Sequence, residues 1–588
     1  MNLFTFLGSK QYNEKIRLSS LDRYIPDITF GDTESDLEKD AGPAELNTFI
    51  IKYIGDYMKA LEYDAKEVES PIEVDRLATR IGRFYERIRQ VVDWKEEHLV
   101  RRSAIERILK RRLITRATGK NLILNGDLNY DFAESFMDEL LRTGYFSHKL
   151  ISKKKVPEIL SILKKYDYIL KNNPLSNKTG NLSIKRKIEF YNWITEVAAS
   201  EIEEALEPAY KEHALMNLMT NVIYTRIKVK PAKAITNEEK YIQTYVAVHR
   251  SIFNLDSPII SFRLLKYKYN NFCKYTEKDF KYFSDNIEKI WNEITEYLEH
   301  PWKGKFFEIC EKYDAAYLII GDAFERISKD RASLKSIVSD RAKFGWYIKE
   351  QYKQRMSTLK RRLTRSAIYS TISIFVAGGA SLIVFEFPIA KWIYGEFKPW
   401  AIVVDIMIPT AMMFILVAII KLPSPDNFKR LLDEIYNIIY GSEKEDEYEI
   451  ILNKRKNPIF SLIFTLIYVI GGIGSLYLVY IVFLFAGVPW TSLYIDAANV
   501  AIVVFAAMLI RQKSRELTIE EDGGLVEMFL NFFSVPMAKI GMWLSNKWKE
   551  YNFVSVFLSA LIDVPFSTFL SFIADWRKFI KEKSAEIH

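Results

Sequence analysis

Cysteine and histidine are scarce in this chain. Its 588 residues hold two cysteines, Cys273 and Cys310, and six scattered histidines. Two thiols exclude a disulfide framework. No two histidines stand at metal-ligand spacing and the cysteines complete no such site, so neither a metal nor any other cofactor is expected. The phosphate-binding loop is missing, because Gly119-Lys120 lacks its upstream glycine. There is no GxSxG element, and Gly471-Gly472-Ile473-Gly474 lies inside an apolar run, where a dinucleotide loop has no place. With no catalytic motif, an enzyme is not expected. Glycine and proline are also sparse: residues 1–365 hold 12 and 9 of them, about half the usual frequency, which favours uninterrupted helices. A signal-peptide core is absent as well, since the apolar patch of residues 1–8 is soon broken by Lys10 and Lys15.

What the chain does have is a division of charge. Residues 1–365 carry 64 Lys+Arg against 53 Asp+Glu, and residues 366–588 carry 19 against 22. The long apolar runs gather in the second part. Crossing about 30 Å of hydrocarbon takes about 20 mostly apolar residues, and four stretches meet that length: 367–390, 400–420, 459–487 and 490–510. Basic residues flank them unevenly. Sixteen lie before the first, in the 421–458 loop and after the fourth, among them Arg361, Arg362, Arg365, Arg511, Lys513 and Arg515; the opposite side holds Lys391 and Lys398. The positive-inside rule then places both termini and the middle loop in the cytoplasm. The expected location is the inner (plasma) membrane. The six named cations are the candidates for contact with anionic lipid headgroups.

The two apolar hairpins resemble each other. Phe375-Val376-Ala377-Gly378-Gly379 matches Tyr468-Val469-Ile470-Gly471-Gly472, and Pro399-Trp400 with Asp405 matches Pro489-Trp490 with Asp496. The pattern fits a parallel duplication, and it fits equally the ordinary preference of membrane helices for glycine pairs and interfacial tryptophan. Gly378, Gly379, Gly471, Gly472 and Gly474 are candidate helix-packing positions, with spans one and three expected to touch there. Glu386, Asp405 and Asp496 fall in the outer third of their runs; they read either as an acidic outer vestibule that attracts cations or as interfacial acids reaching the headgroup layer.

The tail is apolar in another way. Residues 553–574 carry one charge, Asp563, and a polar residue at every fourth position. Two arrangements accommodate the tail: amphipathic helices lying on the inner leaflet, which the polar residues of 525–544 favour, or an extra hairpin of 525–544 and 553–574, which restores the basic rule at Arg577, Lys578, Lys581 and Lys583.

In residues 1–365, apolar spacing near 3.6 predicts helices over 44–66, 72–117, 130–143, 155–172, 183–207, 209–228, 235–252, 276–299 and 302–318, with a linker at 172–180. Between Gly321 and Glu386 no proline occurs, so a helix is expected to run directly from the body into the first span. Basic stretches at 101–120, 153–155 and 185–187 suit solvated helix faces, anionic lipid or an acidic partner; no nucleic-acid motif accompanies them.

The order of an apolar hairpin, Arg511-Gln512-Lys513-Ser514-Arg515-Glu516-Leu517, Met542-Trp543-Leu544-Ser545 and Ala574-Asp575-Trp576-Arg577 resembles the C-terminal half of uncharacterised multi-pass membrane proteins of uncultured small-genome bacteria. That resemblance implies a bacterial membrane protein and carries no activity. The expected architecture is all-α: cytosolic helical units 1–175 and 181–365, a four-helix transmembrane region 366–511, and amphipathic interfacial helices in 512–588. The expected role is a membrane-anchored scaffold that meets lipid, a cytosolic protein partner and other copies of itself; the alternative is an oligomeric channel or small-solute transporter.

Overall fold

A computed structural model describes residues 44–64, 79–84, 86, 97–114, 128–146, 151–174, 181–383 (without 232–233, 275 and 331–332), 388, 392, 399–441 (without 421), 448–451, 458–485, 493–519 and 525–550, with isolated positions beyond. The described chain is helical apart from short elements. In order come α1 Thr48–Asp64, α2 Glu97–Leu109, α3 Tyr130–Arg142, α4 Val156–Asn172, α5 Asn181–Leu206, α6 Tyr210–Arg226, β1 Ile227–Lys230, α7 Asn237–Ile252, α8 Ser257–Lys268, α9 Glu277–Leu298, α10 Lys303–Lys329, α11 Leu334–Ser339, α12 Arg341–Ser381, α13 Pro399–Ala418, α14 Pro425–Tyr440, β2 Tyr448–Ile451, α15 Pro458–Phe485, α16 Leu493–Ser514 and α17 Leu525–Glu550.

Local chemistry sets the helix starts. The Asn129 side chain accepts from the Phe132 amide at 3.0 Å, and Ala133, Phe136, Met137, Leu140 and Leu141 then share the buried face of α3. Thr236 and Glu239 form a reciprocal capping box on α7. Helix α8 was missed by the apolar spacing: it opens on Asp256 as its cap with Pro258 in its first turn, a place where proline starts helices. The long helix expected into the first apolar run is real, but it begins at Arg341, after α10 ends at Lys329. Its 41 residues reach about 60 Å at 1.5 Å each.

The apolar cores do not follow a division at 172–180. Ile169 and Leu170 of α4 share one core with Phe190 and Ile194 of α5, and that core extends through α2, α3, α8 and α9. A second core joins α1, α6, α10, α11 and the first half of α12 to α14, β2, Leu517 and Ile519. The segment between the second and third apolar runs is therefore part of the helical body. Its β2 pairs in parallel with β1, Ile227 opposite Tyr448 and Lys230 opposite Ile451, the exception to an otherwise helical fold.

The end of α12 with α13, α15, α16 and α17 forms an apolar bundle. Among the described residues, two helical stretches are long and apolar enough to cross a membrane, Thr465–Phe485 and Tyr494–Ser514; Val403–Ala418 is shorter. The end of α12 and the length of α13 pack on α16, with Met413 against Val503, Ala507 and Ile510. The glycines are contact positions, with other partners than expected. Gly378 faces Ile406 of α13, while Gly471, Gly472 and Gly474 face Phe532, Pro536 and Phe533 of α17. The expected meeting of spans one and three at these glycines is replaced by α17, because its Phe532 carbonyl lies 2.7 Å from where a Gly471 Cβ would stand.

The start of the tail packs on the bundle. Helix α17 runs antiparallel to α16: Arg511 donates to the Asn531 side chain at 2.6 Å near one end, and Gly541 lies against Ala501 toward the other. Ser475 of α15 adds a hydrogen bond to the Phe533 carbonyl at 3.0 Å. Residues 551–571 lie outside the described residues. A Cβ on Gly541 would overlap the Ala501 carbonyl oxygen and crowd the Phe505 side chain. Gly541→Val is expected to destabilise the bundle by about 3 kcal/mol, the upper range for overpacking. Thermal unfolding in detergent checks it, and a variant with wild-type stability would remove the close approach from consideration.

Candidate functional site

A cleft lies where the body meets the apolar bundle. Two helix faces and a turn build it. On α12, Gln351, Arg355, Thr358 and Arg362 recur at steps of three and four, one stripe of the helix. On α10, Asp322, Arg326 and Lys329 make the facing stripe, with Glu325 beside them. Glu516 and Leu517, just past the end of α16, close the third side of a space of about 330 Å3. Ligand sites usually measure about 300–1,000 Å3, so this one suits a small polar group.

The charges within it are unequally committed. Arg355 grips Asp322 in a bidentate bond, its Nη2 donating at 3.0 Å, and approaches Glu516 only at 3.8 Å. Lys329 pairs with Glu325 at 2.7 Å along the same helix, and Arg326 with Asp330 at 3.4 Å. Arg362 makes no ion pair or hydrogen bond with any described residue. Of the sequence candidates, Arg361, Arg362, Arg365, Lys513 and Arg515 are exposed, and Arg511 is half-buried on Asn531. Only Arg362 lines the cleft. The α10 stripe and Glu516 were not singled out by sequence, because nothing local ties 322–329 to 351–362.

A carboxyl on α10 outside the cleft lining is sensitive to protonation. Burial, with Glu311 beside it, pushes the Asp314 carboxyl on α10 up to about 8, against the Ala315 amide that lowers it; Glu516 raises it further and Arg355 opposes. The folded pKa lies above the ordinary 3.8. Its stability contribution is therefore full below about pH 3.8 and is lost as pH rises to about 8. Asp314→Asn is expected to flatten the fall in stability between pH 4 and 8.5, measured by urea titration at each pH; an unchanged slope would contradict this assignment.

The outer acids take other positions than an open vestibule requires. Asp405 is 5% exposed and Asp496 0% exposed, on the adjacent helices α13 and α16, whose Val404 and Val500 share an apolar core. Each lies on a helix face turned into the bundle. Glu386 lies outside the described residues. A further polar cluster in the body links Arg263 to His213 at 2.8 Å and Lys266 to Glu204 at 2.7 Å. Burial and Arg263 bring the His213 imidazole down to about 4, so it stays neutral and accepts from the guanidinium. Among the described residues no group of three His, Cys, Asp or Glu could hold a metal. Compared with family models, with curated proteins and with solved structures, the chain finds no match.

Proposed function

We propose that the protein is a multi-pass inner-membrane scaffold whose helical body is rigidly joined to its membrane bundle on the cytoplasmic side, with no catalytic role. One observation carries the membrane part. The Thr465–Phe485 stretch of α15 is apolar throughout, yet only 22% of its most apolar window is buried. Leu466, Ile470, Ile473, Tyr477, Val482 and Phe485 stand exposed, Phe485 at 94%. A core helix of a water-soluble protein would be covered; exposed apolar surface on this scale needs another solvent. Exposed Ile372, Phe375 and Val376 on α12 and Met407, Phe414 and Ile415 on α13 extend the same belt.

The scaffold part rests on three joints. Helix α12 runs unbroken from body to bundle, α14 and β2 return from the bundle into the body's second core, and Leu517 and Ile519 follow α16 into that core. Segments that the basic flanks assign to the cytoplasm thus share one interior, which favours the topology. In this reading α17 belongs to the bundle beside α16, and both termini face the cytoplasm. The exposed cations at the inner ends meet anionic headgroups, and the body offers its surface to a soluble partner or another copy.

The protein should stay with membranes through alkaline carbonate. In intact cells an impermeant maleimide should label Tyr494→Cys and not Lys429→Cys; the reverse pattern, or release by carbonate, would overturn the membrane reading. Purified full-length protein should capture a soluble partner at fixed stoichiometry and pass no selective current in liposomes. A selective current from the protein alone would overturn the scaffold in favour of a channel.

A further inference from the structure

We propose that the junction cleft binds the headgroup of an amino-phospholipid from the cytoplasmic leaflet, its phosphate on Arg362 and Thr358 and its primary ammonium on Glu516. The inference rests on the membrane reading above and names a ligand for the cleft already described.

Depth is the first argument. Arg362 precedes the apolar run that opens at Ala367 by five residues, about 8 Å of helix, which sets it at headgroup level when the run is in hydrocarbon. The order of charge along the cleft is the second. Helix α12 runs from the body toward the bundle, so Arg362 is the lining cation nearest the bilayer. Arg355, which Glu516 approaches, lies seven residues deeper, about 10 Å. A phospholipid headgroup presents its charges in that sequence, phosphate next to the glycerol and ammonium beyond it. The side chains of Arg362 and Glu516, both exposed, have the reach to close on such a group from its two ends.

Commitment of the neighbouring charges is the third argument. Asp322 already answers Arg355 and Glu325 answers Lys329. That leaves Arg362 for an anion and leaves Glu516, held only at 3.8 Å, for a cation. A headgroup with a phosphate and no amine would leave Glu516 unanswered. A choline headgroup could not donate a hydrogen bond to Glu516. Quaternary ammonium is held by aromatic cages, and none of the described residues lining the cleft is aromatic. The lining therefore suits a primary ammonium, which donates up to three hydrogen bonds.

The test uses delipidated full-length protein in detergent, supplied with short-chain phosphatidylethanolamine, phosphatidylcholine or phosphatidylglycerol, with bound lipid read by native mass spectrometry. Wild type should retain phosphatidylethanolamine roughly tenfold better than the other two, the scale of one charge-assisted hydrogen bond. Glu516→Gln should bring the three near parity. Arg362→Gln should lower phosphatidylethanolamine retention roughly tenfold, while Lys335→Gln on α11, an exposed cation outside the cleft, should leave the retention of all three lipids unchanged. Equal retention by wild type, preference for phosphatidylglycerol, or indifference to both cleft variants would overturn the site. Soluble phosphoethanolamine binding as tightly as the lipid would overturn the leaflet as the source. Carbonate extraction is read separately, so a protein that stays in membranes yet ignores the amine fails only this inference.

Discussion

Lys165→Met is expected to destabilise the body by about 3–5 kcal/mol, the range for breaking a buried ion pair from one side. Lys165 is fully buried and Glu201 nearly so. The ammonium donates to both carboxylate oxygens, at 2.7 and 2.6 Å, and to the Phe272 carbonyl at 2.9 Å. Its charge also lies 4.0 Å from the centre of the Phe272 ring, and Tyr166 donates to Glu201 at 2.6 Å. The lysine thus ties α4 to α5 and to the turn before α9. Removing it leaves the Glu201 carboxylate in an apolar interior without the ammonium, the Tyr166 hydroxyl still donating to it. The double replacement Lys165→Met with Glu201→Leu should recover most of the loss, since exchanging both charges for apolar groups is often neutral. Denaturant unfolding of the two single variants and the double variant closes the cycle. Single variants within 1 kcal/mol of wild type, by the same estimate, would show that the pair is dispensable.

The second large effect is expected at Arg226→Leu. The guanidinium sits at the end of α6 and reaches the segment that returns from the bundle: Nη1 donates to Glu434 at 2.9 Å and to the Tyr448 hydroxyl at 3.2 Å, and Nη2 donates to the Asn437 carbonyl at 3.3 Å. Tyr448 in turn stacks on Tyr313 of α10, ring centres 4.6 Å apart. Without Arg226, Glu434 is left buried beside tyrosine hydroxyls, again a loss of about 3–5 kcal/mol, concentrated at one joint. Hydrogen exchange should report it locally: amides of β2 and α14 lose protection while those of α3 and α4 keep theirs. Uniform loss across both cores would mean that the joint is not a separable unit.

How much of this could be read from the residues varies with the range of the interaction. Helix α3 was legible almost to the residue, because its apolar positions repeat at helical spacing. Helix α8 was not, since Ser257-Pro258 reads as a break and Ile259, Ile260, Phe262, Leu264 and Leu265 show no single face. The glycines announced close approach but not the partner, for a missing side chain says nothing about which backbone arrives. The ribbon of β1 and β2 escaped notice because four-residue strands carry little pattern and their partners are far apart in the chain. Asp405 and Asp496 were singled out by their charge within apolar runs, yet their burial depends on how α13 is rotated against α16. In the candidate site, the basic run ending at Arg365 was visible, whereas the acids facing it come from two distant stretches, Asp322 with Glu325 and Glu516.

The pairing of Ile227 with Tyr448 also sets a timetable for biogenesis. Those partners are about 220 residues apart, and at roughly 5–20 residues per second of synthesis the first strand waits about 10–45 seconds for the second to leave the ribosome. During that interval α6 and α10 are expected to expose an unfinished interior, and on the proposed membrane reading the intervening apolar helices would already be reaching the insertion machinery. The nascent chain is therefore a client for holding chaperones between residues 230 and 451, and a ribosome stalled just before Tyr448 should carry a body that is protease-sensitive at α6 yet already compact around α3 and α4.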